Sequence, residues 1–404
     1  MSRSIRLSTL CLRMVCLIVA SLAFSSAAGG QNRGSLFPPT TDNVHLEMVF
    51  NYDQKDLNQE TGNVDLVWGS SYATQPPGMY NSYYIPYSVD NFTYDVAWYR
   101  AHHPDWLEYH CDRKTLAFEF GDKSHAPLDF ANPAVRQFQY ANWVDAPLAQ
   151  GYQGIAVDTM DLTNDWSRCG HFDKSGTWVQ QYTGAYSDTS FRHDVLAWEA
   201  ATYQHVHNYS PTATMQVNVS YHFGEPDADN LTWMTTDDLV LDERGFTNWG
   251  DGSPVTPSEW AGIVRALLYV QSKEACYMTN GEEPGPTDKI TLQERLWVLA
   301  NYLLVRNDCT YMYISGLNGQ QQDYGRLILF PEYKIDIGHP TAAMEKTQGI
   351  WERPYSGGLT LVNPFNETAK VKLPSGSWVD VNGDPVGPDV TLPPQAGQVL
   401  LVGK

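Results

Sequence analysis

Residues 151–161 read GYQGIAVDTMD, and this segment carries the strongest structural signal in the chain. Gly151 ends a helical pattern, a continuous apolar run follows at residues 154–157, and Asp158 stands where that run ends. A short apolar run bounded by turn residues is typical of a strand that is buried on both faces of a parallel sheet. A carboxylate at the end of such a strand is costly unless it is paired, so Asp158 is a candidate functional residue.

A helix is predicted immediately before this strand. Asn132 is a suitable N-cap, Pro133 is suited to the first helical position, and apolar residues recur at helical spacing up to Leu148. The same alternation of strands and helices extends in both directions along the chain. Strands are predicted at residues 64–69, 83–87, 126–130, 154–160, 214–220, 238–243, 275–280 and 310–315. Eight such units predict an α/β fold, a parallel (β/α)8 TIM barrel within residues 29–337.

Two further parts of the chain bear on the domain organisation. Residues 44–50 are also strand-like, and the pattern leaves open whether they line the barrel or cover its bottom. From residue 338 to residue 404, short strands alternate with Pro, Gly and Asn turns, which predicts a small C-terminal antiparallel β-sandwich domain. A domain this small should pack on the barrel, because it cannot bury a large core alone.

Residues 1–28 have the pattern of a signal peptide. Arg3 and Arg6 precede an apolar run at residues 14–24, and small residues follow at residues 26–28. We therefore expect a secreted or periplasmic protein.

Four cysteines remain after this segment: Cys111, Cys169, Cys276 and Cys309. In an oxidising compartment an even number of cysteines is consistent with two disulfides, and a buried free thiol is the alternative for each cysteine. We expect Cys276 to pair with Cys309, because both flank the start of neighbouring strands. Cys111 is expected to pair with Cys169 in loops near the mouth of the barrel.

Composition excludes several classes of function. The chain has 46 acidic and 26 basic side chains, a net charge of -20, so neither nucleic acid nor a membrane surface is an expected partner. The sequence shows no nucleotide-binding motif and no strong metal-ligand spacing, so no cofactor and no metal are expected. With 13 Trp and 24 Tyr the chain is rich in side chains that suit a ligand with both apolar faces and hydroxyl groups.

The active site of such a barrel lies at the carboxyl ends of its strands. Asp158 and Glu243 both follow apolar runs, and two carboxylates facing one mouth form the pair that cleavage of a glycosidic bond requires. Asp242 is the alternative to Glu243, and pairing with Arg244 is the purely structural explanation for either. The candidate substrate-binding residues are Trp68, Tyr87, Asp129, Asp161, Asn218, Arg244, Trp249 and Asn280, with Trp166 and Trp178 as further aromatic platforms.

Three segments carry a resemblance to a known group of enzymes: PLDFANPAVRQF (residues 127–138), GYQGIAVDTMD (residues 151–161) and LVLDERG (residues 239–245). They resemble the glycoside hydrolase barrels of the dextranase family 66 and the α-galactosidase and α-glucosidase superfamily, and more closely the hypothetical glycoside hydrolase families predicted from that group. This resemblance implies a retaining mechanism with Asp158 as nucleophile and an acid/base residue on the sixth strand.

Two functions compete at this level. The first is a secreted glycoside hydrolase acting on an oligo- or polysaccharide. The second is a catalytically inert barrel that binds carbohydrate through the same Trp and Asn side chains. Two costly carboxylates favour the enzyme, since binding alone does not require them. A deacetylase would need a metal triad, and the sequence shows none.

Overall fold

The computed structural model describes residues 33–37, 44–51, 61–219, 226–318 and 321–403. The predicted signal peptide lies outside these residues. Eight parallel strands form the central sheet, each hydrogen-bonded to the next in chain order. They are β1 (Glu47–Asn51), β2 (Leu66–Ser70), β3 (Tyr80–Pro86), β4 (Gly154–Met160), β5 (Thr214–Val219), β6 (Leu239–Asp242), β7 (Cys276–Glu283) and β8 (Thr310–Asn318). A parallel bridge between Leu46 and Met312 closes the barrel, which confirms the predicted fold class.

The identity of one barrel strand differs from the prediction. Residues 44–50 contribute β1, whereas the predicted third strand at 126–130 is not part of the barrel. Only Ala126–Pro127 are extended there, and they pair antiparallel with Val89–Asp90 in the loop after β3. The prediction for 126–130 was wrong because five apolar and turn residues in a row do not distinguish a barrel strand from a buried loop.

Helices cover the outside of the barrel. They are α1 (Val96–His102), α2 (Pro133–Gln139), α3 (Ala146–Gln150), α4 (Thr189–Tyr209), α5 (Ala228–Thr236), α6 (Pro257–Ser272) and α7 (Leu292–Val305). The helix predicted from residue 133 is divided by a π-helical turn at Tyr140–Asp145. Thr256 and Thr291 cap α6 and α7 through complete capping boxes, as their spacing to Glu259 and Glu294 indicates.

Successive residues of each strand face opposite sides of the sheet. On β4, Ile155 and Val157 pack outward against the helices, while Ala156 belongs to the core inside the barrel. On β6, Val240 likewise packs outward, and Leu239 and Leu241 pack inward. This alternation decides which strand-end side chains can reach the mouth of the barrel.

Two antiparallel sheets follow the barrel. Their strands are β9 (Glu345–Thr347), β10 (Ile350–Pro354), β11 (Gly358–Asn363), β12 (Ala369–Lys372), β13 (Trp378–Val379), β14 (Pro385–Val386), β15 (Asp389–Leu392) and β16 (Ala396–Val402). β12 and β15 pair with each other, and the other six form one sheet. This sheet packs on α7: the Tyr355 hydroxyl donates to the carbonyl of Leu303, and the Thr360 hydroxyl donates to that of Ala300. The expected packing on the barrel is thereby confirmed.

Both expected disulfides are present. Cys111 is bonded to Cys169, and Cys276 is bonded to Cys309. Within the described residues, no helix has the length and apolar character needed to cross a membrane.

Candidate active site

Asp158 lies at the carboxyl end of β4, and its side chain receives two hydrogen bonds. The Tyr84 hydroxyl donates to Oδ2 at 3.1 Å, and the Asn218 amide donates to Oδ1 at 2.9 Å. The next residue, Thr159, has a φ of 57°, and the register between β4 and β5 shifts between Val157 and Met160. A β-branched residue at positive φ is strained, and a bulge of this kind changes the direction of neighbouring side chains. The strained bulge therefore directly follows the candidate nucleophile.

Asn218 joins Asp158 to Glu243. Its Nδ2 atom lies 2.9 Å from Oδ1 of Asp158 and 2.7 Å from Oε2 of Glu243. Because both oxygens contact the same nitrogen atom, they are separated by no more than the sum of these two distances, which is below about 6 Å. Asn218 thus holds two acidic side chains from different strands at a fixed separation.

Glu243 follows directly after β6 and is the second acidic group of the site. The Tyr324 hydroxyl donates to its Oε1 atom, and the Asn218 amide donates to its Oε2 atom. Burial, and after it the negative charge of Asp158, raises the pKa of Glu243 to about 8. Glu243 is therefore protonated at neutral pH, which is the form that a general acid needs.

The side chain of Asp242 lies on the opposite face of the sheet from that of Glu243. Like Val240, it faces outward from the barrel. Its carboxylate accepts hydrogen bonds from the Tyr277 hydroxyl at 2.8 Å and from the Gly245 backbone N–H at 3.1 Å. Burial raises the pKa of Asp242 as well. The structure thus brings Glu243, and not Asp242, to the amide that also binds Asp158.

The cleft at the barrel mouth has two lobes that meet at these residues. The large lobe has a volume of about 790 Å³ and the small lobe about 330 Å³. Five residues line both lobes: Phe120, Thr159, Asn218, Glu243 and Trp249. Asp158 lines the large lobe, together with Tyr84, Tyr324 and Glu119. Within the described residues, no group of three acidic, His or Cys side chains is arranged to hold a metal ion.

The other predicted binding residues fall into two groups. The small lobe is lined by Tyr87, Asp161, Trp166, Arg244 and Trp249. Burial raises the pKa of Asp161 to about 7.

The remaining four lie outside both lobes. Trp68 packs in the core against Phe50 and Tyr84. Asn280 is buried behind Tyr324, and Trp178 packs against Phe172. Asp129 is not at the end of a barrel strand, and its carboxylate contacts His171 at 3.1 Å and the Gln181 amide at 2.9 Å.

Several site residues were missed by the sequence reasoning. Tyr84 lies within the second predicted strand segment, at residues 83–87, and within β3 of the structure, but only strand ends were considered. Tyr324 comes from the loop after β8, where no periodic pattern identifies single residues. Phe120 is 74% exposed, has a φ of 50° and lies 4.6 Å from the ring of Trp166.

A buried ion network supports the loop that carries Phe120. The Arg168 guanidinium donates to Glu108 Oε2 at 2.7 Å and to Glu119 Oε1 at 3.0 Å, and the Ser88 hydroxyl also donates to Glu119. Arg168 and Glu108 are fully buried, so each charge depends on the others for stabilisation. Glu119 and Phe120 are neighbours in the chain and both line the large lobe, so this network holds in place the segment that forms this wall of the cleft.

Comparison with known proteins identifies the family. The sequence model of hypothetical glycosyl hydrolase family 15 matches residues 79–359, which is more than half of the chain. The chain therefore belongs to this family and is a glycoside hydrolase. The search of curated proteins found no match.

Solved structures agree with the fold. An α-amylase from Geobacillus thermoleovorans, solved with acarbose, has a TM-score of 0.50 and 12% identity, over 90% of this chain and 98% of its own. An Anoxybacillus α-amylase has a TM-score of 0.51 and 11% identity, over 90% of this chain and 98% of its own. Amy13B of Eubacterium rectale has a TM-score of 0.51 and 10% identity, over 92% of this chain and 98% of its own.

Proposed function

We propose that this member of hypothetical glycosyl hydrolase family 15 cleaves an oligo- or polysaccharide by a retaining mechanism, with Asp158 as nucleophile and Glu243 as general acid/base. The observation that carries the proposal is the single Asn218 amide in contact with both carboxylates. Retaining enzymes hold their two carboxyl groups about 5–5.5 Å apart, and inverting enzymes about 6.5–9.5 Å apart. Two carboxylate oxygens in contact with one amide nitrogen lie less than about 6 Å apart, which is below the inverting range and favours retention.

The first chemical step forms a covalent intermediate. A carboxylate oxygen of Asp158 bonds to the anomeric carbon while the bond from that carbon to the glycosidic oxygen breaks. Glu243 gives its proton to the departing oxygen, so the leaving sugar departs as a neutral hydroxyl group.

The second step releases the sugar. Once Asp158 is esterified its negative charge is gone, and one of the causes of the high pKa of Glu243 disappears with it. Glu243 then takes a proton from water, the oxygen of that water bonds to the anomeric carbon, and the bond to Asp158 breaks. The anomeric configuration is inverted twice and is therefore retained.

The charge of the cleft bears on the substrate class. Among the described residues that line the two lobes, Arg244 and His125 are basic and six are acidic: Glu119, Asp158, Asp161, Asp165, Asp242 and Glu243. Glu243 is protonated at neutral pH and Glu119 is paired with Arg168, but the other acidic residues still outnumber the basic ones. An acidic cleft repels a polyanion, so a substrate without acidic sugars is favoured. The pattern of residues 1–28 supports a secreted or periplasmic site of action.

The test is a screen of the purified protein against plant, fungal and bacterial polysaccharides, with release of reducing ends as the readout. Asp158→Asn keeps the side-chain volume, so it should fold and yet lose at least about 10³-fold in turnover on any substrate found. Trp178→Ala, which alters an aromatic residue outside both lobes, is the matched control and should retain wild-type turnover. Unchanged turnover in Asp158→Asn, or inverted configuration of the first product, would contradict the proposal.

A further inference from the structure

The two lobes differ in which acidic residues they expose. Glu243 lines both lobes, whereas Asp158 lines the large lobe and is not among the residues of the small lobe. The small lobe exposes Asp161 and Arg244 instead. The two candidate carboxylates are therefore placed asymmetrically across the junction of the lobes.

This asymmetry has a direct chemical meaning in a retaining mechanism. The nucleophile bonds to the anomeric carbon of the sugar on the non-reducing side of the broken bond, so that sugar must lie in the lobe that Asp158 lines. The acid/base must reach the glycosidic oxygen, which lies between the two sugars, and Glu243 stands at that junction. The departing sugar then lies in the small lobe.

Aromatic side chains extend along both sides of the junction. Phe120 and Trp249 line both lobes and are 74% and 53% exposed. Phe92 is 45% exposed in the large lobe, and its ring lies 5.4 Å from that of Trp143. Trp166 continues from Phe120 into the small lobe. Such rings offer flat apolar faces for sugars on either side of the broken bond.

We propose that a saccharide chain lies across both lobes, with its non-reducing part in the large lobe and its reducing part in the small lobe, so that the enzyme cleaves internal bonds. This inference rests on the retaining mechanism proposed above. Because the large lobe has more than twice the volume of the small one, more sugars bind on the non-reducing side. The fragment released first from an oligosaccharide is then the shorter one and carries the original reducing end.

The test uses two variants, one in each lobe, on an oligosaccharide series of the substrate class found in the screen. Hydrolysis in ¹⁸O-labelled water marks the fragment from the non-reducing side, so mass spectrometry gives the position of the broken bond. Phe92→Ala weakens the large lobe, and cleavage should move toward the non-reducing end. Trp166→Ala weakens the small lobe, and cleavage should move toward the reducing end. Each shift should change the ratio of adjacent products by about threefold, which is the scale of one aromatic contact.

Trp178→Ala is the matched control and should keep the wild-type cleavage positions. Shifts in the opposite directions would reverse the proposed orientation, and unchanged positions in both variants would show that the chain does not span the two lobes. Release of single sugars from one end, whatever the chain length, would overturn internal cleavage. Each of these outcomes needs an active enzyme whose Asp158→Asn variant is inactive, so it is distinct from a failure of the retaining mechanism itself.

Discussion

Catalysis depends on the protonation of a single residue, Glu243. Its pKa is raised to about 8 by burial and by the charge of Asp158, so the acid form predominates below that pH and is lost above it. We expect kcat/KM to be level from neutral pH to about pH 8 and to fall about tenfold per pH unit above it, because only the protonated form can donate to the leaving oxygen.

The variant Glu243→Gln is the control for this assignment of the alkaline decline to Glu243. An activated aryl glycoside needs little protonation of its leaving group, so Glu243→Gln should form the intermediate on that substrate without the alkaline decline. Natural chains, with poor leaving groups, should lose most of their turnover. An alkaline decline that survives in Glu243→Gln would assign the titration to another group.

Asn218 is a positioning residue for both carboxylates. Its hydrogen bond stabilises the charged form of Glu243, so Asn218→Ala should move the alkaline decline to higher pH. Loss of the fixed separation should also lower kcat/KM by about 10²-fold. Asn301→Ala removes another buried Asn, which accepts a hydrogen bond from Trp260 far from the cleft, and should lower stability without moving the pH profile. An unmoved profile in Asn218→Ala would contradict the positioning role.

The choice between Asp242 and Glu243 shows how much of the site the sequence could have revealed. The alternation of β6 places Glu243 on the same face as Leu241, inside the barrel. The sequence does not show this, because residues 239–241 are all apolar and give no sign of which side chains face inward. The contribution of Tyr324 could not be read, because it depends on where a loop 81 residues further along the chain returns.

At the scale of elements, the alternation of strands and helices was sufficient to predict a barrel, but it did not identify each strand. Replacing residues 126–130 by β1 kept the count at eight and left the numbering of β4 to β8 unchanged. The wrong assignment of the third strand therefore did not affect the prediction that Asp158 and Glu243 follow the fourth and sixth strands. Local pattern cannot reveal which of two apolar segments finds a partner strand, because that depends on long-range pairing.

The two disulfides act on different ends of the barrel. Cys169 adjoins Arg168, whose ion pairs support Glu119 and the cleft wall, whereas Cys276 begins β7 at the end away from the cleft. Replacing either pair by serines should lower the free energy of unfolding by about 2–4 kcal/mol.

The two serine replacements should differ in their effect on KM. Loss of the Cys111–Cys169 bond should also raise KM, because the loop bearing Phe120 is less well held. Loss of the Cys276–Cys309 bond should leave KM unchanged. Equal KM values for both serine variants, measured well below their unfolding temperatures, would contradict this role of the first bond.

Across the molecule, the antiparallel sheets that follow the barrel cap the C-terminal end of α7. Arg353 Nη1 donates to the carbonyls of Leu304 at 3.2 Å and of Arg306 at 2.7 Å, at the C-terminal end of that helix. A positive charge is favourable there, and the carbonyls need donors. Arg353→Ala should lower the free energy of unfolding by about 1–2 kcal/mol in denaturant titrations. Arg353→Lys keeps the charge and should lower the free energy of unfolding by less. Both variants should keep the wild-type kcat/KM. Equal losses of stability in the two variants would contradict a role for the charge.

The proposed mechanism requires that Asp158 becomes covalently bonded to the substrate. The most direct measurement is mass spectrometry of Glu243→Gln after mixing with an activated aryl glycoside of the substrate sugar, since this variant can form the intermediate but lacks the base that hydrolyses it. We predict a mass increase of one glycosyl unit, located by proteolysis and fragmentation at Asp158, and no such adduct in the double variant that also carries Asp158→Asn. A glycosyl group on another residue, or steady release of the aryl group with no adduct at any time, would contradict the role of Asp158 as nucleophile.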